Sequence, residues 1–267
     1  MTPITKNRLL TIISVLLFFS TLTFAWEDNP KIGELFKDAN IKGTFVLYDV
    51  TNDTFIGYNK HRANTRYIPA STFKIANSLI GLATGAVKSV DEVLPYKGPD
   101  KPFIPAWAHD MGLRKAIALS NVPIYQELAR RIGLKRMHKG LITLNYGNQE
   151  VGEGIDKFWL NGPLKISALE QTKFLTKLVG SRLPLPKGIQ KSVREIVLLE
   201  QGKEWKLYGK TGWQNAPNEG IGWWVGWVEK EGRFYVFALN IDINKPADAT
   251  ERTKLGKASL KLLGLID

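Results

Sequence analysis

Segments with strand periodicity stand at both ends of this chain and segments with helical periodicity fill its middle, an order that leaves few ways to build one core. Near the N-terminus, "GTFVLYDV" and "TFIGYN" are short β-rich runs separated by the turn-like "TNDT", which predicts a hairpin. From Ala70 to about Leu199 the apolar spacing turns helical, in "STFKIANSLIGLA", "PIYQELARRIG", "ISALEQTKFLTKLVG" and "IQKSVREIVLLE". Strands return in "EWKLYGKTGW", "IGWWVGWVE" and "RFYVFALNID", the last two joined through "KEG". A final helix is predicted from about Thr250 to Leu263, with Leu255, Ser259 and Leu262 on one face. The simplest assembly is an α/β (α+β) fold: one antiparallel sheet of N- and C-terminal strands, flanked by helices, with the helical middle inserted on one side. No internal repeat and no polar linker divides residues 26–267, which read as a single domain; a separate helical domain is the alternative.

The first residues follow a different logic. Lys6 and Arg8 precede the apolar run "LLTIISVLLFF", and Thr23 and Ala25 are spaced for cleavage, so residues 1–25 read as a signal peptide with the mature chain starting at Trp26. The run from Leu9 to Phe19 is shorter than the ~20 apolar residues of a membrane span. The reading is therefore an exported protein with no stable membrane insertion after cleavage. There is no cysteine, which excludes disulfides and a thiol nucleophile. The formal charge of +12 falls to +10 without Lys6 and Arg8, since the leader contains no acid. The lysines are scattered, and neither a basic run nor a nucleic-acid motif is present. The charge is thus read as a background field that helps an anionic small molecule approach.

Few side chains are available for chemistry. His61, His109 and His138 lie in polar surroundings, which makes a histidine triad or a histidine-ligated metal a poor choice; no metal is expected. The "GEGIDK" segment at Gly152 lacks the third glycine of a dinucleotide fingerprint, and no Walker A sequence occurs. Lysine is left as the base. Residues three apart on a helix share a side, so Ser71 and Lys74 in "YIPASTFKIANSLIG" bring a hydroxyl and an amine together. Ser71 also sits at the positive end of the helix, where free backbone N–H groups favour developing negative charge. A helix-starting serine followed by a surface lysine is the bland alternative, and roughly one S-x-x-K match is expected by chance. Against it, Lys74 is embedded among Phe73, Ile75, Leu79 and Ile80, and burial lowers an amine's pKa toward the neutral, nucleophilic form.

Further elements fit such a site. "SNVPIYQ" offers the Ser120 hydroxyl just before a helix, with an N-cap role equally open. "YGKTGW" ends a strand with Lys210 and Thr211 on opposite faces and Gly212 open to close approach. In "IGWWVGWV", Gly222 and Gly226 share a face with Trp224, which calls for tight packing by a ligand or by a helix. In "DATERTKL", Asp248 and Glu251 have capping-box spacing, and Arg252 is a cation at a helix N-terminus, electrostatically misplaced unless it has another task.

With S-T-F-K at Ser71–Lys74, S-N-V at Ser120–Val122, Y-G-N at Tyr146–Asn148, F-W-L at Phe158–Leu160 and K-T-G at Lys210–Gly212, the sequence resembles the class D serine β-lactamases, the oxacillinases, over essentially the whole mature chain. The resemblance implies a β-lactamase/transpeptidase-like fold, a periplasmic location, a small-molecule β-lactam substrate and either a monomer or a homodimer. It implies that Ser71 is the nucleophile and that Lys74 is modified by CO₂ to a carbamate (N6-carboxylysine), with no other cofactor. Val122 would wall the pocket, Trp159 would donate its indole N–H to the carbamate, and Leu160 would lie by the water's path. Ser120 and Lys210 would pass a proton to the leaving nitrogen, and the N–H groups of Ser71 and Trp213 would form the oxyanion hole. Thr211 and Arg252, beside Gly212, would hold the substrate carboxylate. Tyr146, Gly147 and Asn148 read as structural. A transpeptidase or carboxypeptidase, or a β-lactam sensor domain, would use the same fold without efficient turnover.

Overall fold

The computed structural model describes residues 26–214 and 220–267. Residues 1–25, read above as a signal peptide, and residues 215–219 lie outside the described residues. In chain order, β1 (Trp26–Asp28) and α1 (Pro30–Asp38) precede the hairpin β2 (Gly43–Asp49) and β3 (Thr54–Tyr58), and α2 (Lys60–Asn64) follows. A 3₁₀ turn at Ala70–Phe73 leads into α3 (Lys74–Ala83), then α4 (Leu113–Ala118), α5 (Val122–Ile132), α6 (Leu134–Leu144), α7 (Ala168–Val179) and α8 (Lys187–Glu195). The chain ends in β4 (Leu198–Gln201), β5 (Trp205–Gln214), β6 (Gly220–Lys230), β7 (Arg233–Ile243) and α9 (Glu251–Leu262).

The seven strands form one sheet in the order β1-β3-β2-β7-β6-β5-β4. It is mixed rather than wholly antiparallel. β1 runs parallel to β3, with Trp26 opposite Phe55; α1 and then β2, antiparallel to β3, separate the two in the chain. β2 pairs with β7 (Phe45 opposite Leu239), which closes the N-terminal hairpin onto the C-terminal strands. The β2–β3 turn is held by the Asp49 carboxylate, which accepts from the Thr51 and Asn52 N–H groups at 2.9 and 3.1 Å. The "KEG" hairpin turn puts Glu231 and Gly232 at φ 50° and 73°, the left-handed pair that matches the twist of two-residue β-hairpins.

The sheet separates two cores. On one face, Ile32 and Phe36 of α1 and Leu255 and Leu260 of α9 pack against Phe45, Trp224, Phe237 and Leu239. On the other, Trp223, Val225, Trp227 and Ala238 meet α7 and the inserted helices. The alternation of Trp223 and Trp224 thus sends neighbouring indoles into different cores. A Cβ on Gly256 of α9 would lie 2.2 Å from the Trp224 ring, so close helix–sheet contact explains that face. A Cβ on Gly226 would meet the Tyr208 carbonyl at 1.9 Å, so the adjacent strand, and no ligand, crowds that position.

Three local expectations change. The helical reading of "IQKSVREIVLLE" ends at Glu195, and Leu198–Gln201 becomes the edge strand β4; its apolar residues suit either element, and pairing with β5 decides. Asp248 caps a 3₁₀ turn at Pro246–Thr250, accepting from the Asn244 and Lys245 N–H groups, and makes no box with Glu251. Leu262 turns outward, 40% exposed, while Leu255 and Ser259 are buried.

Candidate active site

Ser71 lies in the 3₁₀ turn, and the α-helix proper starts at Lys74. The three-residue spacing still brings the pair together, with the Lys74 Nζ donating to Ser71 Oγ at 2.6 Å. The turn is tied down on every side. Tyr67 and Ile166 exchange backbone hydrogen bonds of 2.9 Å. Trp223 of β6 donates its indole N–H to the Ile68 carbonyl at 2.9 Å. Thr72 Oγ1 donates to the Pro69 carbonyl and accepts from Gln171 of α7. Ala70 is held at φ 49°, a left-handed conformation that a non-glycine residue adopts only when its surroundings enforce it. A Cβ on Gly212 would lie 2.9 Å from the Pro69 carbonyl, so glycine is what lets β5 run against the turn that carries Ser71.

Lys74 is fully buried. Burial, and then the positive charge of Lys210, hold its amine well below the usual lysine range. Lys210, on β5, is also buried, and burial followed by the Arg252 guanidinium brings it down to about 7. Its stem bends so that Nζ lies 3.0 Å from the Thr211 carbonyl and 3.4 Å from Thr211 Oγ1. Strand alternation therefore separates the two Cβ atoms without separating the functional ends, since a four-carbon stem spans the difference. Arg252, lowered by burial, donates Nη1 to the Ala249 carbonyl and leaves Nε buried with no partner. None of these three basic groups forms an ion pair with a described residue; with the Lys74 amine held toward its neutral form, Arg252 and the protonated fraction of Lys210 supply the positive field at this end of the sheet.

Beside them opens a cleft of about 470 Å³ lined by Ser71, Ser120, Val122, Leu160, Thr211, Gly212, Trp213 and Arg252, with Phe103, Ile104 and Trp107 among its apolar walls. The N-cap alternative for Ser120 falls to its neighbour. Asn121 accepts from the Ile124 N–H at 3.1 Å, which leaves the Ser120 hydroxyl, on a residue at φ 54°, facing the cleft. Asn121 also donates to the Trp107 carbonyl, and the Trp107 indole donates to Leu119, which fixes that wall. Trp159 is fully buried with no acceptor for its indole N–H. It packs 5.4 Å from the Phe73 ring, next in the chain to Lys74. An unmet donor in a dry site costs about 1–3 kcal/mol unless an acceptor arrives.

Tyr146, Gly147 and Asn148 support the site from behind Phe73. Tyr146 packs on Phe73 and Phe174. Gly147 sits at φ 56° where a Cβ would collide with the Lys165 carbonyl, and Asn148 binds Lys165 N–H and the Pro163 carbonyl. Four of the five motifs contribute residues to the cleft lining, and Tyr146–Asn148 packs behind it; His61, His109 and His138 are exposed and none lines it. Sequence reasoning missed Gln171, Trp107 and the indole of Trp223 as supports. Asn121 had a usable signal, an asparagine two residues before the proline that opens a helix.

Residues 40–261 match the model of the penicillin binding protein transpeptidase domain. The β-lactamase OXA-5 of Pseudomonas aeruginosa is 40% identical over 257 residues, covering 94% of this chain and 96% of that protein. The crystal structure of FUS-1 (OXA-85), a class D β-lactamase from Fusobacterium nucleatum subsp. polymorphum, is 46% identical with a TM-score of 0.87, over 90% of this chain and 100% of that one. The chain belongs to the class D β-lactamases. A class D enzyme from Sebaldella termitidis has the same fold at 34% identity and a TM-score of 0.86. Class D membership carries the enzyme class with it, and the mixed sheet with its inserted helices is the class D fold. Among the described residues no helix is long and apolar enough to cross a membrane.

Proposed function

We propose that this enzyme hydrolyses the β-lactam ring of penicillin-type antibiotics through an acyl-enzyme on Ser71, with Lys74 carboxylated by CO₂, and so protects the cell that exports it to the periplasm. The observation that carries the reading is a buried amine, acid-free and 2.6 Å from the Ser71 hydroxyl, in a site that also leaves the Trp159 indole N–H without an acceptor. Only a neutral amine adds CO₂, and burial supplies that state. A carboxylate carried on Nζ would give Ser71, and later the hydrolytic water, a general base, and it would give the indole N–H its missing partner.

The chain's own groups account for the remaining steps. Ser71 Oγ attacks the lactam carbonyl, and the backbone N–H groups of Ser71 and Trp213 receive the developing oxyanion. As the C–N bond breaks, Ser120 passes a proton to the nitrogen, resupplied by Lys210, whose pKa near 7 suits transfer at neutral pH. The substrate carboxylate pairs with Arg252 and Thr211, because a buried guanidinium without an acid needs an anion. Val122 and Leu160, both lining the cleft, keep bulk water from the amine, and Leu160 lies by the path of the deacylating water.

The test mixes purified protein with a chromogenic penicillin or cephalosporin, with and without bicarbonate. Sustained turnover that bicarbonate raises is expected, and Lys74→Ala should trap the acyl-enzyme, visible as an added mass on Ser71. A single stoichiometric burst from the unmodified enzyme would support a transpeptidase or sensor instead.

A further inference from the structure

Residues 151–163, which carry Trp159 and Leu160, contain neither helix nor strand. Their internal ties are few: the Leu160 and Asn161 N–H groups reach the Lys157 carbonyl, and the Leu164 N–H reaches the Phe158 carbonyl. Such a segment takes its position from what it is fastened to. On the inner side the rings of Phe158 and Trp159 pack on Phe73. Apolar packing resists removal of the rings but discriminates weakly between small rotations of an indole, because it is not directional.

Asn148 donates to the Pro163 carbonyl at 2.8 Å at the end of the segment, and at Asp156, ahead of Trp159, the directional contacts come from α5. Gln126 donates its side-chain amide to the Asp156 carbonyl at 3.0 Å, and Arg130 donates Nη1 to the Asp156 carboxylate at 2.7 Å. Arg130 is itself oriented by Glu127, 3.2 Å away and buried, which also holds Lys97 at 3.1 Å. The same helix begins at Val122, directly after Ser120 and Asn121, so one rigid element carries the cleft wall and grips the turn that bears Trp159.

Resting on the carboxylated-lysine reading, we propose that Arg130, assisted by Gln126, is a positioning residue that fixes the Asp156 turn on α5 and thereby keeps the Trp159 indole N–H and the Leu160 side chain where they protect a carboxylate on Lys74. Loss of the clamp lets the turn move, admits water, and favours return of the amine to its protonated, CO₂-free form. The pair is partly exposed, 36% and 27% for the two side chains, so global stability depends on it little.

The experiment compares the unaltered enzyme with Arg130→Met, Arg130→Lys, Asp156→Ala and the Arg130→Met/Asp156→Ala double variant. The carbamate is read directly by ¹³C NMR as ¹³C-bicarbonate is added, alongside turnover of a chromogenic β-lactam and Tm. Arg130→Met and Asp156→Ala should need about 2- to 5-fold more bicarbonate for a half-maximal signal, the equivalent of one such ion pair. Saturating bicarbonate should restore turnover, Arg130→Lys should lie between, and the double variant should be no worse than the poorer single one. Variants that titrate like the unaltered enzyme would overturn the clamp alone. Absence of any carbamate signal in the unaltered enzyme would overturn the carboxylated-lysine reading and the clamp with it.

Discussion

At Lys210 the fold buries an amine beside a guanidinium, and the sign of the consequence can be worked out. A free lysine titrates at 10.5, whereas burial, then Arg252, brings Lys210 to about 7. Between those values the unfolded chain holds a proton that the folded chain has shed, so stability rises with pH across that window; below about 7 the whole cost of burial is felt. Lys210→Met should therefore raise Tm at pH 7 by about 4–8 °C, taking ~2 kcal/mol as the relief from a buried, unpaired charge. The gain should shrink toward pH 10.5, and turnover should fall as the proton relay is lost. Calorimetry over that range, paired with kinetics, checks both. A gain that grows with pH would contradict the assignment. Lys74 is shifted the same way and for the same leading reason.

Among the elements, the contact between β5 and the 3₁₀ turn sets where Ser71, the proposed nucleophile, is presented. Gly212→Ala would place a methyl 2.9 Å from the Pro69 carbonyl and 3.1 Å from Thr72 Cγ2, pushing the turn that holds Ser71 away from the strand. With a misplacement approaching 1 Å, kcat should drop by about 10- to 100-fold. Circular dichroism should stay native and Tm should change modestly, so an unaffected kcat would refute the packing role. Much at this scale was legible beforehand, because period 2 and period 3.6 are local: β2, β3, β5, β6, β7, α3, α5 and α7 all arise where apolar spacing places them. The failures differ in range. Leu198 and Leu199 became strand by pairing with β5, their near neighbour in the chain, because an apolar pair suits either element and period alone does not choose; β1 became a parallel strand by pairing with β3, a partner outside any local window.

Across the whole molecule, the formal charge of +12, or +10 without residues 1–25, has no acidic cluster to offset it at the cleft, where Lys210 and Arg252 stand without carboxylate partners among the described residues. An anionic β-lactam should be drawn toward this end of the sheet. Raising the ionic strength should lower kcat/KM by less than about tenfold and leave kcat nearly unchanged, since screening acts on approach and not on the buried chemistry. A salt-independent kcat/KM would show that the field plays no part. Two buried layers either side of one sheet give the scaffold its stiffness, and the cleft forms at the border between the sheet and the inserted helices.

Residue order alone determined which chemistry was present: a hydroxyl and an amine three positions apart, a second hydroxyl before a helix, a lysine, a threonine and a glycine at a strand's end, and no thiol to compete. Those are local facts, carried by types and spacings. Packing decided the rest, because desolvation and proximity join parts of the chain that share no local pattern. Lys74 loses its water only when α3, α5 and the turn bearing Trp159 close around it, and Lys210 meets Arg252 only after β5 and α9 dock on the same sheet.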